Sequence, residues 1–136
     1  MSATNRALVL SLLSKSFAIC KLAADAPLPE WAQHGQLFSI TRTSDELSIV
    51  AETDLVPAYL RAETSWRVMK AHGPFDLSEV GVLASLVAPL AQAGISVFTV
   101  STFDTDYLFT KAGQLQTALA ALRKAGHTVH ECESIS

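Results

Sequence analysis

The sequence predicts an α+β fold: a βαββαβ unit over residues 65–136, preceded by a reduced copy of the same plan over residues 1–64. Three observations carry this. Two amphipathic helical segments end the same way, in small residues, a glycine and then a strand: Ala91-Gln92-Ala93-Gly94-Ile95 and Arg123-Lys124-Ala125-Gly126-His127. Apolar stretches rich in β-branched and aromatic residues flank both helices. Residues 16–60 repeat the order on a smaller scale, as strand, short helical turn, hairpin and short helix. A βαββαβ unit folds into a four-stranded sheet with both helices on one face, and right-handed crossovers leave few alternatives.

Composition excludes several classes. The chain has 136 residues, 49% hydrophobic and 17% charged, with a net charge of -3. That suits one domain, or two small ones sharing a core, and rules out disorder. No basic patch stands out, so nucleic acid is not expected as a partner. Cys20 and Cys132 lie far apart and outside any Cys-x-x-Cys pair. This argues against zinc and for a reduced, cytoplasmic setting, with a single disulfide left open. Arg6 and the run Ala7–Leu13 loosely resemble a signal peptide, but the run is short, the basic region before it has one charge, and no clean cleavage site follows. No stretch is long enough to cross a membrane as a helix.

Taken in order, residues 1–14 hold a polar tip and a short helix or strand. Ser16–Leu22 alternates as a strand. Pro29 opens a very short helix through Trp31 and Ala32. Leu37–Arg42 and Glu46–Glu52 flank the turn Thr43-Ser44-Asp45 and read as a hairpin. Asp54 caps a short helical segment reaching Tyr59 and Leu60, made irregular by Pro57. Glu63-Thr64-Ser65 marks a boundary, and Trp66–Ala71 is a strand. A helix is expected from Ser78 to Ala93, with Leu83, Leu86, Val87 and Leu90 as its apolar stripe and Pro89 bending or shortening it. Ile95–Ser101 and Tyr107–Thr110 are strands around a polar turn, Gln114–Ala125 is a second helix with Leu115, Leu119 and Leu122 on one side, and His127–Glu131 is the last strand.

The stretch Gly81-Val82-Leu83-Ala84 through Ala93-Gly94-Ile95-Ser96, followed by Val100-Ser101-Thr102-Phe103-Asp104-Thr105-Asp106-Tyr107-Leu108, resembles ACT domains. It is most similar to small tandem-ACT proteins of bacteria and to the ACT repeats of cytosolic arginine sensors. The match covers residues 66–131; the N-terminal half resembles an ACT repeat in element order alone. The resemblance implies a ferredoxin-like ACT fold, a regulatory amino-acid-binding function and a homodimer. It places a ligand near the loop after the first strand, at Phe75, Asp76, Gly81 and Val82, and near Thr102, Phe103 and Asp106. Many ACT domains carry Asp-x-Pro-Gly at the first turn; here Asp76 and Gly81 are further apart, with no proline between them.

The residues themselves suit that chemistry. A ligand carboxylate matches the unpaired amides and positive dipole of a helix N-terminus, here the turn from Ser78 to Val82. An ammonium matches Asp104 and Asp106, whose two-residue spacing would aim both side chains one way, with Asp106 the one reaching inward. Phe75 and Phe103 would pack on the ligand side chain. Each also has a plain structural reading, as helix cap, turn residue or core aromatic. No nucleophile elbow or phosphate loop is present, the histidines show no metal spacing, and His72 lacks an evident nucleophile partner. No catalytic centre and no cofactor are expected. The competing function is a non-catalytic structural or interaction module with a decayed ligand site, whose partner is a protein.

Overall fold

The chain divides into two compact units, residues 15–66 and residues 67 onward together with those up to 14. The computed structural model describes residues 6–76 and 78–131. Cys132 and Leu77 lie outside them.

In the first unit, β2 (Phe17–Leu22), β3 (Ser39–Arg42) and β4 (Leu47–Glu52) join the leading end of β5 (Ala62–Ala71) in the order β3-β4-β2-β5. The β3–β4 hairpin pairs Ser39 with Val50 and Arg42 with Leu47. A 3-10 turn, Glu30–Gln33, follows Pro29. Its Ala32 is fully buried, and with Trp31 it packs on a core of Cys20, Leu47, Ile49 and Ala51. One turn thus stands where a full helix would cover the sheet. The helical segment expected through Leu60 is only a 3-10 turn, Thr53–Leu55. Pro57 disfavours helical backbone at the residue before it, and Val56 is extended.

In the second unit, the trailing half of β5 is followed by α1 (Val82–Gln92), β6 (Val97–Ser101), β7 (Asp106–Lys111), α2 (Leu115–Lys124) and β8 (Thr128–His130). This is the βαββαβ order. The sheet departs from four strands, because β1 (Val9–Leu12) inserts between β5 and β8. It runs antiparallel to β5, pairing Leu10 with Ala71, and parallel to β8, pairing Leu10 with Val129. Residues 6–14 therefore group with the C-terminal unit, and the boundary read at residues 63–65 falls inside β5. Residue patterning alone cannot show that a strand from the chain start completes a distant sheet.

Both helices pack on one face, where Leu10, Met69, Leu86, Leu90, Leu108, Leu119 and Leu122 form the core. Helix α1 begins four residues later than expected. Gly81, with φ 88, turns the chain into it, a left-handed conformation that glycine adopts without a Cβ clash. Its buried face is Val82, Ser85, Leu86 and Leu90, not the stripe through Leu83 and Val87. Pro89 does not shorten the helix, which continues to Gln92. Gly94 and Gly126, at φ 75 and 102, end the two helices as their matching sequences suggest.

Candidate functional site

The loop after β5 and the turn between β6 and β7 meet through their backbones. The Phe75 N–H donates to the Asp104 carbonyl at 2.7 Å. Gly73 permits this approach, since a Cβ there would lie 2.6 Å from the Asp104 oxygen and 2.8 Å from the Phe75 nitrogen. The turn is closed on itself: Thr102 N–H donates to the Thr105 carbonyl at 2.8 Å, and Thr105 N–H donates to Thr102 Oγ1 at 3.2 Å. The buried Thr105 hydroxyl then donates to the Ala71 carbonyl at the end of β5. A side chain that looks like turn filler thereby ties the turn to the central strand.

Between the two segments lies an open cleft of about 220 Å3, with Phe75, Asp76, Glu79, Val82 and Leu83 on one side and Ser101 to Asp106 on the other. It is smaller than the roughly 300–1,000 Å3 usual for drug-sized ligands, which suits a metabolite of amino-acid size.

Of the residues singled out in the sequence, Phe75, Asp76, Val82, Thr102, Phe103, Asp104 and Asp106 line this cleft. Gly81 has a different task, as the residue preceding α1. Val82 serves cleft and core together and is 6% exposed. Phe103 is 78% exposed and stands at the rim. Asp106 begins β7 half-buried, and its Oδ1 accepts the Ser101 hydroxyl at 2.5 Å across the β6–β7 pair. Asp104 sits in the turn itself, outside both strands, so the two carboxylates do not share a strand face as their spacing suggested.

The helix start also changes the expected amide set. Ser78 N–H is taken by Asp76 Oδ1 at 3.0 Å, and the Ser78 hydroxyl donates to the same oxygen at 2.8 Å. These bonds, the backbone one first, hold the Asp76 carboxyl below its ordinary value. The helical ladder opens with Ser85 N–H donating to Gly81 at 2.9 Å. The amides preceding that ladder are those of Val82, Leu83 and Ala84, and they set the positive end of the helix dipole at the cleft.

Sequence reasoning missed Glu79, Leu83, Ser101 and Thr105 as lining residues, and Arg6 beside them. Glu79 and Leu83 were hidden by the wrong helix start, which changes the face each residue presents. Arg6 Nη1 lies 3.0 Å from Glu79 Oε2, and its guanidinium lies over the Phe75 ring at 5.5 Å from the centroid. No local signal links residue 6 to residue 79.

His72 does have a hydroxyl neighbour, contrary to expectation, with Ser11 Oγ 2.6 Å from its Nε2. Among the described residues no carboxylate bonds the other ring nitrogen, so the orienting third member of a catalytic triad is missing. Nor do the described residues contain a His, Cys, Asp and Glu cluster able to hold a metal, or a helix long and apolar enough to cross a membrane.

A sequence profile described as an ACT domain matches residues 61–124. Residues 61–124 form an ACT domain. The matched region runs from β5 through α2 and contains the whole cleft wall. A second profile, described as an N-terminal domain, matches residues 15–59, within the first compact unit. A crystal structure of an Agrobacterium tumefaciens protein is 38% identical, covers 94% of this chain and 96% of its own, and superposes with a TM-score of 0.89. The regulatory subunit of aspartate kinase from Thermus flavus shares the fold at 14% identity, with 88% and 99% coverage and a TM-score of 0.63. A rat protein named cytosolic arginine sensor for mTORC1 subunit 1 is 28% identical over 99 residues, or 65% of this chain. The match spans 30% of that sensor's length. The aspartate kinase subunit shares the fold, and that subunit and the rat protein are named as a regulator and a sensor.

Proposed function

We propose that the cleft beside α1 binds a free amino acid and that the protein acts as a non-catalytic sensor. The observation that carries this reading is the Phe75–Asp104 backbone bond at 2.7 Å, which joins the two segments into one cleft. One wall offers the amides at the start of α1 for a carboxylate. The other offers Asp106, half-buried and positioned by Ser101, for an ammonium. Phe75 supplies an apolar face between them. The rat arginine sensor and the aspartate kinase regulatory subunit lend support, as ACT relatives named for sensing or regulation. Occupancy would be reported through self-association, for which the β6 edge is available, since among the described residues β6 pairs only with β7. The reading places the protein in the cytoplasm.

A thermal-shift screen against the twenty amino acids at millimolar concentration tests this. A ligand at about 100 times its Kd adds roughly 2.7 kcal/mol. One clear hit, lost in Asp106→Ala while the unliganded melting temperature barely moves, supports the sensor. A flat screen removes that support.

A second reading is favoured by Val80 and Phe103, both 78% exposed, close to the same cleft. Large exposed apolar side chains suit a protein partner, and the cleft would then serve as an interaction surface.

A further inference from the structure

We infer that Phe75 and Glu79 form a cation subsite through which the cleft selects amino acids whose side chains carry a positive charge, and that Arg6 occupies this subsite as a built-in competitor. The inference rests on the amino-acid reading above and adds the ligand class. Its basis is a guanidinium already held at the cleft wall. Arg6 lies 5.5 Å from the Phe75 ring centroid and 3.0 Å from the Glu79 carboxylate. Both partners line the cleft, on the segment between β5 and α1. Arg6 arrives from before β1, 73 positions away from Glu79.

A ring face with a carboxylate beside it is the pairing that a guanidinium or ammonium prefers. The ring quadrupole attracts a cation within about 6 Å of its centroid, and the carboxylate accepts charge-assisted hydrogen bonds. The lining itself contains no lysine, arginine or histidine. The cation found here is therefore supplied by the chain, from outside the wall.

The pair is also easily opened. The Arg6 and Glu79 side chains are 41% and 33% exposed, so solvent screens their attraction and holding both side chains costs entropy. A ligand whose carboxylate and ammonium are anchored deeper in the cleft brings its side-chain cation to Phe75 and Glu79 as an intramolecular event. It can then displace Arg6, whereas a neutral side chain leaves Arg6 in place and gains nothing from Glu79.

The test is titration calorimetry of the full chain with arginine and with citrulline, its uncharged isostere, on wild type, Arg6→Ala and Glu79→Gln. Arg6→Gln, which keeps the stem, guards against a packing effect of the alanine. Removing the competitor should tighten arginine binding about fivefold, the size expected for one exposed cation–π and ion-pair contact, with citrulline little changed. Glu79→Gln should abolish the preference for arginine over citrulline. Weaker arginine binding in Arg6→Ala, or equal changes for both ligands, overturns the inference and leaves the amino-acid site standing. If none of the twenty amino acids binds either wild type or Arg6→Ala, the amino-acid reading fails first and this inference falls with it.

Discussion

His127 Nε2 donates to the Ser85 carbonyl at 2.7 Å. In an unbroken helix that carbonyl would accept from residue 89, but residue 89 is proline and has no N–H. His127 Nδ1 in turn accepts the Leu8 N–H at 3.1 Å, which puts the ring proton on Nε2. One buried imidazole, 5% exposed, repairs the gap in α1 and anchors the approach to β1. His127→Leu leaves a buried donor and a buried acceptor unmet, at about 1–3 kcal/mol each. Urea denaturation should show a loss of about 2–6 kcal/mol. Adding Pro89→Ala restores an N–H for Ser85, so the double variant should recover about 1 kcal/mol. Purely additive effects would show that the ring does not serve this carbonyl.

This bond also shows why part of the fold was hidden. Pro89 inside a leucine-rich helical pattern argues locally for a bend or an end. The partner that lets the helix continue lies 42 residues away. The same holds for Arg6 and for β1, whose roles depend on contacts far along the chain. The helix start was misplaced for a local reason. Asp76 and Ser78 look like a cap, but they satisfy each other in a turn, and Gly81 starts the helix. What could be read was the alternation of strands with glycine-ended helices, which fixes the βαββαβ order. That order brings the Phe75 and Asp104 segments to the same end of the sheet. Side-chain partnerships inside the cleft depend on the helix start, so they were not legible.

Gly73→Ala tests how the cleft is assembled. The new Cβ would meet backbone on two sides, at 2.6 and 2.8 Å, and backbone cannot yield as a flexible side chain would. The loop must shift and break the Phe75–Asp104 bond. Overpacking of this kind costs about 1–3 kcal/mol, readable in chemical denaturation. Any ligand response should fall further than stability does, because one wall moves relative to the other. An unchanged response would mean that the loop adjusts without opening the cleft.

Asp76 gives a signature at acid pH. Its folded carboxyl lies below the ordinary 3.8 because Ser78 donates to it from backbone and side chain. A lowered folded value contributes stability that is present above about pH 4 and lost as pH falls through the folded pKa. An NMR titration should find Asp76 protonating below its ordinary range. Ser78→Ala should move it only part of the way back, since the backbone donor is the larger cause and remains. A full return to the ordinary value would show that the hydroxyl alone holds the charge.

Cys20 gives the opposite signature at alkaline pH. Its thiol is 3% exposed in the N-terminal core and donates to the Ile49 carbonyl at 3.6 Å. Burial pushes it above the ordinary 9.0, because a thiolate there would lose its hydration. The unfolded chain therefore gives up this proton at a lower pH than the native one does. Stability should fall as pH rises past about 9, the direction in which the native state binds more protons. Cys20→Ala removes that proton and leaves a small void, costing about 1 kcal/mol at neutral pH. The gap between wild type and variant should then narrow from pH 8 to 10, as wild type alone carries the thiol's extra loss. Peptide mapping after iodoacetamide should find Cys20 unlabelled in the native protein and labelled after unfolding. Rapid native labelling would mean that β2 and β4 open easily around it, and a parallel pH course for the two proteins would rule out the thiol as the source of the slope.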